Sequence, residues 1–204
     1  LSRATLANWV IRPAEDWLMP LVSRLQQDLL QQDVIHADET PVQVHKEKGR
    51  KNPAKSYMWV FSSGEYEQAH PIRLYEYQPG RSGSYAEDFL KGFNGILQTD
   101  GYTGYQKAPC HAHALCWAHA RRDFADAVKA ADKKDPSSVR QSVAYQALQK
   151  IAEFYNADTE LKGLSSRERL QKRQEVIKPM VEEFFAWVKQ QVSDCTVPPK
   201  SKTG

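Results

Sequence analysis

The stretch Val34-Ile35-His36-Ala37-Asp38-Glu39-Thr40-Pro41-Val42-Gln43-Val44 is an apolar run with an acidic pair at its centre. Its β-branched residues are typical of a β-strand. Side chains alternate between the two faces of a strand, so Asp38 and Glu39 point to opposite sides. A carboxylate in an apolar strand is costly unless it is paired, hydrogen-bonded or metal-bound. Asp38 is therefore either a rim residue that closes the strand into a turn or part of a functional site.

A second apolar strand also ends in an aspartate, in the stretch Gly95-Ile96-Leu97-Gln98-Thr99-Asp100-Gly101-Tyr102-Thr103-Gly104-Tyr105. Plain turn chemistry is one explanation of an aspartate before a glycine. If the two strands lie side by side, however, Asp38 and Asp100 converge on one point. Convergent carboxylates can hold Mg²⁺, which prefers oxygen ligands. Two such ions, about 3.5–4 Å apart, can clamp the attacking and leaving oxygens of a phosphodiester.

A third stretch, Cys116-Trp117-Ala118-His119-Ala120-Arg121-Arg122-Asp123-Phe124, completes a recognisable set. Together with residues 37–41 and 99–105 it resembles, in order and spacing, the signature blocks of the insertion sequence 66 family of transposases. The resemblance extends from Leu1 to at least Ala130. It implies a ribonuclease H-like α/β fold and a DDE site, in which two aspartates and a glutamate bind Mg²⁺ or Mn²⁺ for DNA strand cleavage and transfer. It assigns Asp38 and Asp100 as catalytic residues and metal ligands.

Composition agrees with an intracellular bacterial enzyme. The 204 residues carry a formal charge of +3 and three cysteines, an odd number that gives no disulfide framework. The sequence contains no signal peptide and no apolar run of membrane-spanning length. We therefore expect a cytoplasmic protein. The resemblance implies that it acts on double-stranded DNA, at the ends of a transposable element and at its target. The resemblance also implies a homo-oligomer in the active complex, with possible accessory proteins of the element.

Hydrophobic periodicity divides the chain into four segments. They are an N-terminal helical segment (1–32), a core with a mixed sheet and flanking helices (33–131), a helical insertion or appendage (132–197) and a truncated tail (198–204). The resemblance implies that the core is ribonuclease H-like. The chain starts at Leu1 and stops in Pro-Pro-Lys-Ser-Lys-Thr-Gly, so we expect a piece of a longer protein.

The core segment predicts three antiparallel strands, then a helix, then two strands and a helix. The Asp100 strand follows a helix, which favours a crossover that pairs it parallel to the first strand. In the N-terminal segment, Trp17, Leu21, Leu25 and Leu29 recur every four residues and predict one apolar helix face. The predicted strands span 34–44, 56–62, 71–77, 95–100 and 111–117, and the predicted helices span 85–92, capped by Ser84 and Glu87, and 118–131.

Five side chains near the acidic stretches are candidate DNA contacts. Tyr102 and Tyr105 could stack on a base, or they could wedge their loop onto the domain. His119, at the start of a helix, could touch the scissile phosphate. Arg121 and Arg122 could bind DNA phosphates or form a solvated helix face.

The residues Cys110, His111, His113 and Cys116 offer zinc-ligand chemistry, with His119 close behind in the sequence. Their spacing on a strand makes neighbouring side chains diverge, and no second Cys-x-x-Cys pair supports them. We expect no zinc site here.

The third acid of a DDE site is harder to assign. In the resembling family this glutamate lies downstream of the helical region, in a block absent from residues 131–204. Glu153 is the best of the acids available there, but its surroundings are typical of a solvated helix face. We therefore expect an incomplete site that binds Mg²⁺ weakly. The alternatives are a non-catalytic nucleic-acid-binding or assembly module of the same fold, and a nuclease acting on RNA–DNA hybrids, which lacks these blocks.

Overall fold

A five-stranded mixed sheet carries both acidic stretches. The computed structural model describes residues 1–45, 55–66, 69–133 and 139–194. The sheet order is β3-β2-β1-β4-β5, with β1 to β3 antiparallel and β1-β4 and β4-β5 parallel. This arrangement confirms the predicted antiparallel meander and the predicted parallel crossover. The strands are β1 (Val34–Gln43), β2 (Lys55–Ser63), β3 (Arg73–Gln78), β4 (Ile96–Thr99) and β5 (Ala112–Leu115).

The core lies on one face of this sheet. Ile35 and Ala37 of β1 are buried, as are Trp59 and Phe61 of the neighbouring β2. Helix α3 (Gly83–Phe89) packs on this face, where the Phe89 ring stacks on Phe61 with 3.7 Å between the ring centroids. The alternation predicted for β1 is therefore correct, because the odd-numbered residues of this strand face the core.

Two helices precede the sheet, and only part of their predicted apolar face is buried. Helix α1 (Arg3–Pro13) and helix α2 (Met19–Leu29) are joined by a π-helical turn, Ala14–Leu18, which lies between two prolines. Leu29 is buried in the core, but Trp17 is 78% exposed. The predicted single face from Trp17 to Leu29 is thus wrong for its first half. The π-helical turn and the prolines at either end of it interrupt the four-residue repeat there.

The start of α3 also differs from the prediction. Ser82 caps this helix, because its Oγ accepts a hydrogen bond from the Ser84 backbone N–H. The predicted cap, Ser84, lies instead in the first turn. Two serines in the same turn offer the same capping chemistry, and the sequence alone does not choose between them.

The helices that follow the sheet form a second compact unit. The chain divides into the units Leu1–Cys116 and Trp117–Gly204, rather than at residue 131. Trp117 and Phe124 of α4 pack against a cluster that contains Ile151, Phe154 and Phe184, so α4 belongs with the later helices. The helices are α4 (Trp117–Asp132), α5 (Val143–Glu160), α6 (Ser166–Lys172) and α7 (Lys178–Ser193), with a π-helical turn at Arg173–Ile177.

Some predicted features lie outside the described residues. They are residues 46–54 and 67–68 of the predicted core, residues 134–138 and 195–197 of the predicted helical insertion, and the tail 198–204. Of the helices described, none combines the length and the apolar character needed to cross a membrane.

The backbone at the first residue of α3 lies very close to the backbone of the loop after β4. A Cβ atom on Gly83 would lie 2.2 Å from the carbonyl oxygen of Gly104, which is in the 3₁₀ turn Thr103–Lys107. Only glycine fits at this distance. The contact places Arg81, two residues before Gly83, beside the loop that contains Asp100.

We predict that Gly83→Ala lowers the free energy of unfolding by about 1–3 kcal/mol, the usual cost of forcing extra volume into a packed site. Alanine is otherwise preferred over glycine in a helix, so a loss would report the lost backbone contact. Urea unfolding followed by tryptophan fluorescence measures the change.

Gly80→Ala is the matched control. A Cβ there meets only the Tyr85 ring, at 3.9 Å, which is ordinary van der Waals contact. Equal stability of the two variants would show that the two loops do not depend on this approach.

Candidate active site

The two predicted catalytic aspartates follow a common register at one edge of the sheet. In the parallel pair β1-β4, Val34 lies opposite Ile96 and His36 lies opposite Gln98. Asp38 and Asp100 each follow the last of these paired residues, His36 and Gln98, by two positions, and Asp100 lies directly after the end of β4. The structure therefore has the strand arrangement on which the predicted convergence of the two carboxylates depends.

Both aspartates are anchored by backbone N–H groups. Asp38 Oδ1 accepts a hydrogen bond from the N–H of Glu39, at 2.9 Å. Asp100 Oδ1 accepts one from the N–H of Tyr102, at 2.8 Å, and its side chain is 23% exposed. The second oxygen of Asp100, Oδ2, lies 3.7 Å from Nη2 of Arg81. Anchoring one oxygen of a carboxylate in this way fixes the direction of the other.

Glu39 occupies the core face next to these aspartates. Its side chain is 0% exposed. Its Oε1 accepts a hydrogen bond from Nε of Arg81, at 2.5 Å, and forms an ion pair with Nη2 of the same arginine at the same distance. Its Oε2 accepts a short hydrogen bond from the hydroxyl of Tyr105. The prediction that Glu39 points to the opposite side of the strand from Asp38 is confirmed, and Arg81 is the basic side chain that it contacts.

The electrostatics of this cluster follow from burial. Burial raises the pKa of the Glu39 carboxyl above its ordinary value, and the hydrogen bonds from Tyr105 and Arg81 oppose the rise. Burial also raises the pKa of the Tyr105 hydroxyl, as do its bond to Glu39 and the nearby charges of Asp38 and Asp100. Tyr105 therefore keeps its proton at neutral pH and acts as a donor. The influence of both aspartates on one hydroxyl is a second indication that they lie near each other.

Sequence reasoning missed Arg81 as a site residue. It lies in the turn between β3 and α3, where Pro79-Gly80-Arg81-Ser82-Gly83 indicates only a loop. In the structure its guanidinium lies over the ring of Tyr102, 3.9 Å from the ring centroid. The Tyr102 hydroxyl in turn donates to the Arg81 carbonyl oxygen, at 2.6 Å. A single arginine in a Gly-rich turn gave no pattern from which these contacts could be predicted.

The two tyrosines after Asp100 have different environments. Tyr105 is 1% exposed and packs edge-on against Trp59, which leaves no face on which a base could stack. Tyr102 is partly buried and packs against the core edge beneath Arg81. The wedge alternative therefore describes Tyr105, and a DNA contact from Tyr102 stays a prediction.

The remaining predicted DNA contacts belong to the second unit. His119, Arg121 and Arg122 lie in the first turns of α4, and both arginines are exposed. On β1, His36 is half-buried, and burial lowers its pKa, against the opposing charge of Glu65. His36 is therefore neutral at pH 7.

The cysteine and histidine residues before α4 make one close pair. Cys110 Sγ lies 3.2 Å from Nε2 of His113, and burial raises the pKa of the Cys110 thiol. Within residues 1–45, 55–66, 69–133 and 139–194, no group of three or more His, Cys, Asp or Glu side chains is arranged to hold a metal ion.

Comparison with known proteins places the chain in a family. The family model described as "Transposase IS66 family" matches residues 1–204. Two Sinorhizobium fredii (strain NBRC 101917 / NGR234) proteins are similar to it, the uncharacterized proteins y4hP, 30% identical over 202 residues, and y4jD, 32% identical over 198 residues. These alignments cover 92% and 91% of this chain but only 36% and 37% of the relatives, so the chain spans little more than a third of their length. No solved structure matches this chain. The match along its whole length shows that the chain belongs to the IS66 family of transposases.

Proposed function

We propose that this chain supplies the catalytic core of a DNA transposase, built on a ribonuclease H-like sheet. The observation that supports the proposal is the parallel β1-β4 register, in which His36 pairs with Gln98, two residues before Asp38 and Asp100 respectively. The mixed sheet, with an antiparallel meander followed by two parallel strands, also supports the proposal. Family membership supports a role in transposition.

The donor set at this edge fits a hard divalent cation. Asp38 and Asp100 offer carboxylate oxygens, and Mg²⁺ or Mn²⁺ prefers oxygen ligands with several retained waters. The backbone N–H groups of Glu39 and Tyr102 each bind one oxygen of an aspartate and so orient the carboxylates. A divalent metal at this position supplies charge stabilisation for in-line phosphoryl transfer.

The proposed reaction on DNA has two steps, a hydrolysis and then a transesterification. In the first, water attacks the phosphorus at the element's end, and the P–O3′ bond breaks to release a 3′-hydroxyl. In the second, that hydroxyl attacks a phosphodiester of the target strand and displaces its 3′ oxygen, so the element becomes joined to the target. Through both steps, Asp38 and Asp100 would hold the divalent cation that offsets the negative charge of the scissile phosphate.

A complete DDE site also needs a glutamate. Glu39 is committed to Tyr105 and Arg81 on the core face, which removes it as a ligand on the Asp38 side. Glu153 is exposed on α5. We propose that the third carboxylate comes from outside the described part of this chain, and that the chain alone binds divalent metal weakly.

The rival is a non-catalytic nucleic-acid-binding module of the same fold. One observation favours it: Arg81 already compensates the charge of Glu39 and lies near Asp100. In that case the acidic residues would have a structural role, and replacing Asp38 would change the stability of the protein without affecting DNA cleavage.

We predict that Asp38→Asn, in a full-length transposase containing these residues, lowers transposition by on the order of a hundred-fold or more, the size expected when a preorganised electrostatic contact is removed. Asparagine keeps the shape of the side chain and removes its charge. Transposition frequency measured with a marked element provides the test. Asp28→Asn is the control, because Asp28 only forms an exposed ion pair with Arg24. Wild-type transposition by Asp38→Asn would refute the catalytic assignment.

A second prediction concerns the 204-residue chain by itself. Incubated with supercoiled plasmid and Mn²⁺, it should leave the plasmid unnicked, because on this proposal the chain alone binds divalent metal weakly. Agarose electrophoresis measures the open-circular product. Nicking that disappears in Asp100→Asn would show instead that an acid within this chain, or from a neighbouring copy, completes the site.

A further inference from the structure

The guanidinium of Arg81 is held rigidly at the acidic edge of the sheet. Glu39 binds its Nε and Nη2, the ring of Tyr102 lies 3.9 Å beneath it, and Oδ2 of Asp100 lies 3.7 Å from Nη2. Its own backbone carbonyl is fixed by the Tyr102 hydroxyl. A long side chain held on three sides has already lost the rotamer freedom that binding a ligand would otherwise cost.

Part of this guanidinium is still available to a ligand. The Arg81 side chain is 39% exposed, whereas the Glu39 side chain that it contacts is completely buried. A guanidinium has five N–H donors, and Glu39 uses the Nε edge. Among the described residues, none bonds to Nη1. Nη2 lies 3.7 Å from Oδ2 of Asp100, so the donors of this guanidinium lie within a few ångströms of one of the two proposed metal ligands.

The charges of this edge explain why a cation there matters for DNA. Three carboxylates, from Asp38, Glu39 and Asp100, share the edge with one guanidinium, so their sum is about −2 when all are ionised. A phosphodiester carries a further negative charge and is repelled by such a cluster. Arginine matches phosphate oxygens in geometry as well as in charge, because its planar N–H groups bind two oxygens at once.

We propose that Arg81 binds a non-bridging phosphate oxygen of the DNA strand that enters the Asp38–Asp100 site. Glu39 and Tyr102 are positioning residues, which aim the guanidinium from the core side and from below. This inference rests on the proposed function, since it assumes that the acidic edge is where DNA binds. It assigns Glu39 a role distinct from metal binding: its buried charge holds the arginine that faces the substrate.

The test is the salt dependence of DNA binding by the 204-residue chain. A short fluorescent DNA duplex is titrated with protein in Ca²⁺, between about 50 and 200 mM salt, and the slope of log affinity against log salt is measured by fluorescence anisotropy. Each lost phosphate contact lowers the magnitude of this slope by about 0.9. We expect that loss for Arg81→Gln and no loss for Arg24→Gln, which removes an exposed arginine from α2.

A double variant separates the phosphate contact from structural damage. Arg81→Gln alone leaves the buried Glu39 carboxylate without its cation and can destabilise the fold. Glu39→Gln with Arg81→Gln removes one charge of each sign, so the net charge of the protein is unchanged. The double variant should lose the same part of the slope. Glu39→Gln alone should keep the slope, because Arg81 is still present, but should bind DNA less tightly, because the charge that holds the guanidinium is gone.

The outcomes distinguish this inference from the proposed function. A wild-type slope in both variants that lack Arg81 would overturn the role of Arg81, and would leave the transposase proposal to the Asp38→Asn experiment. Failure of the unsubstituted chain to bind duplex DNA even at the lowest salt would overturn the role of Arg81 as well, and it would also count against DNA binding at the acidic edge.

Discussion

The buried carboxylate of Glu39 ties together the parts of the sheet domain that matter for function. It lies on β1, and its two oxygens bind Arg81 from the turn before α3 and Tyr105 from the turn after β4. A carboxylate without partners in this position would cost several kcal/mol, so these two contacts must form together with the fold. The result is that three chain segments meet near Asp38 and Asp100: the strand of Glu39 itself, and the segments of Arg81 and Tyr105, which lie 42 and 66 residues further along the chain.

The parallel pairing of β1 and β4 provides the second constraint. Parallel strands run in the same direction, so their ends lie at one edge of the sheet, and residues in register there come together. Asp38 lies in the middle of β1 and Asp100 lies directly after the last residue of β4, with Glu39 on the opposite face of β1 from Asp38. Alternation along the strand thus separates two adjacent acids into different roles: one faces the proposed substrate side, and the other holds the arginine in place.

Much of this arrangement could be predicted from the sequence, because it depends on local patterns. The alternation of β1, the antiparallel meander and the helix before β4 all follow from periodicity and connection length. The contact between Glu39 and Arg81 could not be predicted, because it depends on the close approach of Gly83 to Gly104 between two loops. The same limit applies to Trp17, since a four-residue repeat indicates an apolar face but does not identify what covers it. The domain boundary differed because α4 packs through Trp117 on later helices, and packing partners of an amphipathic helix are not encoded in its period.

In the proposed site, Asp38 and Asp100 together hold a divalent cation. Paramagnetic line broadening by Mn²⁺, measured on the amide signals of the isotope-labelled 204-residue chain, tests it most directly. We predict that broadening starts at the residues flanking Asp38 and Asp100. Asp38→Asn or Asp100→Asn should abolish it, and Asp28→Asn should leave it unchanged. Broadening centred elsewhere, or broadening at this edge that survives both substitutions, would contradict the claim.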